Sequence, residues 1–572
     1  MIHRNTIGLI LALVLGFFIR YIDTDKHGIS GDEKISIFMS QFVAMEGSNQ
    51  ADVFFKKDTP YFTPQEFWKE KHTSDFYDAI ARADNGSSAL YSLSLHYWTH
   101  FFGVDDGTVR GLSALWGILL IAFLYYFVIQ HFKSQNLALL VAALAVIEPC
   151  LVAWSRNLRT YSMSFFFCLL ATHLFLLILN PKNNRVWLFV AYGFVTFACM
   201  MCHYVNFTLF ALHGLIVLIY SRNLRTWFGL ACAMTIPAVG MWWWLSAGGG
   251  RYAFKFVEDS ARIYSLMATK APAIGYLALT SPKTVFIQLL PIISNHFLPT
   301  NNLFDVLVGK KNFIISILVA LISVGVYVSK LKTSLKQTII GVVFGASFLL
   351  YSTNKFQFLI FSVAIIWVII ACQYFWQNRK NQLVTQTYLL AIVPLFFFIA
   401  FAYQDGNTFR IQQKYIGYSI VFSVILVALT IRFIAKEYPN WVKYAMFLVM
   451  GIQTIFIVQT LKSIVQDTNA RYLALTNRSP NPHRTTALRI TQNYTASDTI
   501  LYPSYNGDES SIYAVAPPTY SIIDAQLINL YLSKNANYIQ RMNFKEPNKV
   551  ILKKANGKQI VLFDFQNTTY RY

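Results

Sequence analysis

The chain has 572 residues, 55% of them hydrophobic and only 13% charged, with a mean hydropathy of +0.42. So much apolar surface excludes a soluble domain of this length and predicts a polytopic α-helical membrane protein. The net charge of +21 does not point to nucleic acid, because the Lys and Arg residues gather in short loops between apolar runs.

Thirteen apolar stretches are candidates for membrane spans: 6–20, 110–131, 137–154, 161–180, 186–202, 204–221, 226–245, 312–329, 337–352, 357–376, 386–403, 415–434 and 442–461. The first follows His3 and Arg4 and has no small-residue cleavage site after Ile19, so it reads as a retained signal anchor. With the N-terminus inside, every inside loop is basic, from Lys133 through Arg222 and Arg225 to Lys436 and Lys443. That is the positive-inside pattern, and it places residues 462–572 outside.

Three regions then share the outer face. The first loop, 21–109, holds Gly31-Asp32-Glu33 and a short amphipathic piece, Pro64–Ala81, expected at the interface. Residues 246–311 open with Gly248-Gly249-Gly250 and contain Pro272, Pro282, Pro291 and Pro299, which predicts broken helix and loop. The tail reads as a small α/β domain, with strands at Thr499–Pro503, Lys549–Lys553 and Gln559–Phe565 and a helix at Ile523–Ser533. No internal repeat of the transporter kind is visible.

All six cysteines lie in or at the ends of apolar stretches, so no disulfide framework is offered. Cys199-Met200-Met201-Cys202-His203 spells a haem-attachment pattern, but it closes an apolar helix without an evident second axial ligand, and we read it as chance.

Outer loops between spans are normally poor in Arg and Lys, so two basic clusters stand out. Arg156 and Arg159 join the third and fourth stretches, and Arg410 and Lys414 precede the twelfth. Any one of them can be a snorkelling charge at the lipid phosphates. Together, on the same side as the acidic first loop, they fit a second purpose. Arg holds phosphate bidentately and a nearby carboxylate can act as a base, which is the pairing that transfer from a phosphate-linked donor requires.

These residues resemble the GT-C superfamily of integral-membrane glycosyltransferases, in the branch of protein O-mannosyltransferases and the lipid A aminoarabinose transferase. Gly31-Asp32-Glu33 is similar to that branch's Asp-Glu motif. The run Asp84-Asn85-Gly86-Ser87-Ser88-Ala89-Leu90-Tyr91, then His96-Tyr97-Trp98 and Arg110-Gly111-Leu112-Ser113, matches the approach to its second span. Glu148-Pro149, Ser155-Arg156 and Leu158-Arg159-Thr160-Tyr161 resemble its Pro…Ser-Arg…Arg-x-Tyr segment. His203-Tyr204 follows, and Lys414-Tyr415 stands where relatives tend to show Arg-Tyr.

The resemblance implies an inverting glycosyltransferase that moves a sugar from a polyprenyl-phosphate donor to a lipid, glycan or protein acceptor. Asp32 would be the general base, with a pKa raised by desolvation, and its catalytic neighbour Glu33 would orient Asp32 or bind the acceptor. Arg156 and Arg159, three apart and able to share a helix face, would hold the donor phosphate with Arg410, Lys414, Tyr161 and Tyr415. Asp84, Tyr91 and His203 would meet the sugar or acceptor. No cofactor is obligatory in this reading, although a divalent cation near Asp32 and Glu33 is compatible with it. The expected location is a bacterial inner membrane, with the site on its outer side among membrane lipids. The alternatives are a flippase or transporter of lipid-linked sugars, a membrane scaffold, and a transferase that uses a polyprenyl-diphosphate glycan.

Overall fold

The computed structural model describes residues 4–44, 70–180, 185–270, 277–306, 310–350, 355–469, 472, 481–503, 505–506, 520–521, 523–543, 546 and 548–566. Among them, 7 helices are long and apolar enough to cross a membrane: Asp106–Phe132, Tyr161–Leu179, Leu224–Ser246, Lys355–Asn378, Gln382–Asp405, Tyr418–Glu437 and Asn440–Val465. The bent pair Gln135–Ile147 and Pro149–Arg156 makes up to 8. Shorter apolar helices (Asn5–Tyr21, Val186–Cys202, Tyr204–Tyr220, Asn312–Val328 and Thr333–Leu349) lie at the remaining apolar stretches. The chain is a polytopic helical membrane protein with a small C-terminal mixed sheet.

Stretch 137–154, one straight span in the sequence, is bent by 58° between Ile147 and Pro149. Proline has no N–H, so the Ala145 carbonyl loses its helical donor. Arg20, fully buried, supplies the replacement: its Nη2 donates to the Ala145 carbonyl at 3.1 Å, and its Nη1 to the Val146 carbonyl at 3.2 Å. Arg156 makes the reciprocal brace, with Nη1 donating to the carbonyls of Ile19 at 2.9 Å and Ile22 at 2.8 Å. An arginine at membrane depth is costly unless it meets such carbonyls. These two lock the first helix to the bent span.

The 246–311 region is more helical than its prolines suggest. Ala253–Lys270 and Pro282–Asn295 are helices. Pro282 opens the second at a position whose N–H would be unpaired anyway. Beyond it the chain dips among the spans: His296 Nε2 lies 2.7 Å from the Ala391 carbonyl, and Gln453 Nε2 donates to the Asn301 carbonyl at 3.0 Å.

The tail forms strands β1 (Thr499–Pro503), β2 (Tyr505–Asn506), β3 (Tyr520–Ser521), β4 (Ile539–Asn543), β5 (Lys549–Lys553) and β6 (Gln559–Asp564). A four-stranded sheet runs in the order β4-β1-β5-β6, with β1 and β4 parallel and the other pairs antiparallel. Helices Pro482–Asn493 and Ile523–Leu530 cover the sheet through Ile490, Ala525 and Ile528, and a buried His483–Asp524 pair at 3.0 Å joins them. The expected helix to Ser533 thus ends at Leu530.

This domain rests on the loop that follows the first helix. Leu527 and Leu530 share an apolar cluster with Ile37, Phe38 and Val109.

Candidate active site

The first loop supplies the floor of the site. Helix Gly31–Ser40 begins after Ser30, with Asp32 and Glu33 in its first turn, where acidic side chains suit the positive helix end. Glu33, expected to orient Asp32 or bind the acceptor, is buried and braced on every side. It is 1% exposed, accepts from Arg110 Nε at 2.8 Å and Nη2 at 2.7 Å, and also takes the backbone N–H of Leu158 at 2.9 Å and of Ser30 at 2.8 Å. Arg110 goes on to bind the carbonyls of Thr24, His27 and Gly28. The pair ties together loop 24–30, the Asp32 helix, the span Asp106–Phe132 and the Arg159 loop. The sequence offers Arg110 only within the run that resembles the approach to the second span, and its partner cannot be read there.

Asp32 points elsewhere. Its side chain is 55% exposed, with Lys414 Nζ at 3.8 Å from Oδ2. Arg159 Nη1 donates to the Asp32 carbonyl at 3.2 Å, and Nη2 approaches Asp84 Oδ2 at 3.4 Å. Burial alone would raise the Asp32 carboxyl, but Lys414 and Arg159 outweigh it and hold it below the usual range. This is opposite to the desolvation-raised base expected from the sequence. Asp84 differs: burial dominates over Arg159 and the Ser88 hydroxyl, and its pKa lies above the usual value. Arg159 and Lys414 are both held firmly charged: burial opposes their charge, but Asp84 and Asp32 outweigh it at Arg159, and Tyr161, Tyr415 and Asp32 do so at Lys414.

Asp84 ends helix Thr73–Ala83 and opens a tight turn in which Asn85, Gly86 and Ser88 all have positive φ. Pro64–Ala81 had been expected as the interfacial piece; the helix runs from Thr73 to Ala83, and residues 64–69 lie outside the described residues. Gly86 is there from necessity, since a Cβ would sit 2.2 Å from Gly250 Cα. Trp244 Nε1 donates to the Gly86 carbonyl at 3.0 Å, and the Tyr204 hydroxyl to that of Asn85 at 3.3 Å. Segments far apart in sequence therefore fix Asp84.

An aromatic wall closes one side. Trp154 meets Tyr161 edge-on with ring centres 4.6 Å apart, Tyr161 lies 5.8 Å from His203, and His203 5.6 Å from Tyr415. Lys414 Nζ stands 5.3 Å from the centre of the Tyr415 ring. His203 Nδ1 accepts the Val205 N–H at 3.2 Å. Burial, then Arg159 and Lys414, push its pKa down to about 3, so the ring is neutral at working pH.

The structure thus brings together Asp32, Asp84, Arg159, Lys414, Tyr161, His203 and Tyr415. It does not bring in the other expected residues. Arg156 is committed to the carbonyls of Ile19 and Ile22, because the chain leaves the helix at Asn157 and breaks the spacing that would align it with Arg159. Arg410 Nε pairs with Asp405 Oδ2 at 2.9 Å. Tyr91 is fully buried, its hydroxyl 2.6 Å from Ser113 Oγ, which donates to the Arg159 carbonyl at 3.3 Å. Tyr91 lies beneath the site and supports it.

A divalent ion does not fit between Asp32 and Glu33. Glu33 is taken by Arg110, and the cationic Lys414 flanks Asp32. Among the described residues no group of three or more His, Cys, Asp or Glu gathers for a metal.

Residues 89–244 match the family described as dolichyl-phosphate-mannose-protein mannosyltransferase. No curated protein matches the sequence. Among solved structures, ArnT from Cupriavidus metallidurans in the apo state is 12% identical, with a TM-score of 0.38 over 93% of this chain and 85% of that one. The same protein bound to undecaprenyl phosphate is 13% identical, with a TM-score of 0.38 over 94% and 86%. An oligosaccharyltransferase from Archaeoglobus fulgidus in the apo form is 12% identical, with a TM-score of 0.42 over 86% of this chain and 58% of that one. The family similarity thus covers residues 89–244 of the chain.

Proposed function

We propose that the protein transfers a sugar from a polyprenyl-phosphate donor to a hydroxyl acceptor at the outer face of the membrane, with inversion at the anomeric carbon. The observation that carries this reading is an accessible carboxylate, Asp32, beside Lys414 and Arg159, with a second acid, Asp84, across Arg159. The matched family's name supports the donor class. In this reading all thirteen apolar segments cross the bilayer from an inside N-terminus, and residues 462–572 form an outer domain.

Asp32 accepts the proton of the acceptor hydroxyl as that oxygen bonds to the anomeric carbon. The bond from that carbon to the phosphate oxygen breaks, and polyprenyl phosphate leaves. Lys414, with Arg159 near it, faces the charge that develops on the leaving phosphate, the type of electrostatic help that most lowers such barriers. Asp84, with its raised pKa, binds sugar or acceptor hydroxyls as donor or acceptor. Glu33, Arg110 and Tyr91 position this set from below.

The lipid tail has a suitable place. A cavity of about 270 Å³ between the helices is lined by residues such as Leu289, Ile293, Phe297, Trp367, Leu395 and Phe396. It lies on the element whose Asn295 carbonyl accepts from Gln413, the neighbour of Lys414.

The test is Asp32→Asn enzyme in membranes, given a labelled polyprenyl-phosphate sugar extract at matched expression. Transfer lost with donor binding retained is expected. Unchanged transfer removes Asp32 as the base and moves the assignment to Asp84.

A further inference from the structure

We propose that Tyr531 and Asn481 of the C-terminal domain are positioning residues for glycosyl transfer, acting through Asp106 on the helix that carries Asp32. The proposal rests on Asp32 being the base.

Asp106 is 2% exposed and opens the span Asp106–Phe132. Its two oxygens are both taken by the tail: the Tyr531 hydroxyl donates to Oδ1 at 2.7 Å, and Asn481 Nδ2 donates to Oδ2 at 3.0 Å. Asn481 Nδ2 also reaches the Tyr531 hydroxyl at 2.9 Å, closing a three-residue clamp. A buried carboxylate with such partners is strongly held, and removing one leaves an acceptor short in a dry place.

The clamp connects to the site in two steps. Arg110 lies one helical turn beyond Asp106, on the same face. Arg110 grips Glu33 through two nitrogens, and Glu33 sits next to Asp32 and accepts the Leu158 N–H beside Arg159. A second contact reinforces the first. Gln526 Nε2 donates to the Ala44 carbonyl at 3.0 Å, just past the Asp32 helix, and Leu527 and Leu530 pack with Ile37 and Phe38 of that helix. The tail is therefore seated on the later part of the segment that presents the base, and linked to its first turn through Asp106, Arg110 and Glu33.

Four full-length proteins in lipid nanodiscs test this: wild type, Tyr531→Phe, Asn481→Asp and Asp32→Asn. Tyr531→Phe removes one hydroxyl. Asn481→Asp keeps the oxygen that caps helix Pro482–Asn493 through the His483 and Arg484 N–H groups but sets a carboxylate against Asp106. A fifth protein, Ile500→Val, weakens the sheet core of the same domain away from the clamp.

Expected is a fall in kcat of about tenfold for Tyr531→Phe, more for Asn481→Asp, with donor KM within about twofold. Ile500→Val should lower the melting temperature and leave kcat at the wild-type value. Wild-type kcat in Tyr531→Phe beside an inactive Asp32→Asn overturns this proposal alone. An active Asp32→Asn overturns the assignment of the base and this proposal with it. Ile500→Val losing kcat in step with its melting temperature reduces the clamp to general stability and also overturns it.

Discussion

Replacing Glu33 with Gln tests whether the site is built on the buried pair. Four donors converge on the two Glu33 oxygens: Arg110 Nε and Nη2, and the N–H groups of Leu158 and Ser30. An amide of the same shape keeps one oxygen and turns an NH₂ toward two of those donors. Each buried group left unsatisfied costs about 1–3 kcal/mol. Breaking one side of a buried ion pair costs about 3–5 kcal/mol, which already includes most of those lost bonds. A loss near 4 kcal/mol is thus between about a quarter and about four-fifths of the roughly 5–15 kcal/mol that holds a folded domain.

Thermal unfolding in detergent, followed by a thiol-reactive dye, reads this directly, because Cys168, Cys199 and Cys202 are buried free thiols. The midpoint should drop by roughly 5–10 °C, and transfer should fall even at temperatures where the protein is folded. The double variant Glu33→Met with Arg110→Met sharpens the test. Buried pairs elsewhere can be replaced by apolar side chains at little cost, but here the Thr24, His27 and Gly28 carbonyls would lose their donor. The double variant should remain unstable. A Glu33→Gln protein with wild-type midpoint and rate, or a double variant that recovers both, would refute the reasoning.

Three further outcomes follow from the geometry. Asp32 lies below the usual carboxyl range because Lys414 and Arg159 overcome burial, so the acidic limb of the wild-type pH–rate profile should fall below about pH 4; Lys414→Gln should move that limb upward, and an unmoved limb would count against Asp32 as the titrating base. Gly86→Ala should destabilise the outer loops by more than about 1 kcal/mol, since the new methyl meets Gly250 and φ is +80°; equal proteolytic resistance of mutant and wild type would show the turn can yield. In the tail, burial opposes the Asp498 charge, but Lys554 and the Thr495 and Ala555 N–H groups hold its pKa down to about 2. Its stabilisation is present above the unfolded value of about 4 and is lost as pH falls toward 2, so the protection of β1 and β5 amides relative to their intrinsic exchange rates should fall across that window in wild type and stay flat in Asp498→Asn.

Much of the fold is legible in local patterns. Apolar runs marked the membrane helices, and β-branched alternation marked β1 and β5 to the residue. Seven of the expected site residues meet in space because each lies where an outer loop joins a helix, which the charge pattern already indicates. What was not legible depends on partners distant in sequence. Arg110 and Arg20 find theirs on other elements, and Arg410 finds Asp405 across a turn. The Arg156–Arg159 spacing suggested a shared face, but the helix ends between them. The direction of the Asp32 shift was misread because desolvation can be guessed from sequence, whereas the field of two cations requires coordinates.

The 3.8 Å contact between Lys414 and Asp32 has a consequence for how charge moves during turnover. In the resting site the ammonium faces a carboxylate. In the proposed mechanism, once Asp32 has taken the acceptor's proton it is neutral, at the same moment as the donor phosphate sheds its sugar and gains a negative charge. Lys414 can then change partner without changing its own charge, from the side chain that has just lost its anion to the lipid that has just acquired one. The reaction leaves the total charge of the pocket unaltered, which keeps its electrostatic cost low. It also makes Lys414 a brake: until the product lipid departs and Asp32 gives up its proton, the lysine is held by phosphate and the pocket cannot reset.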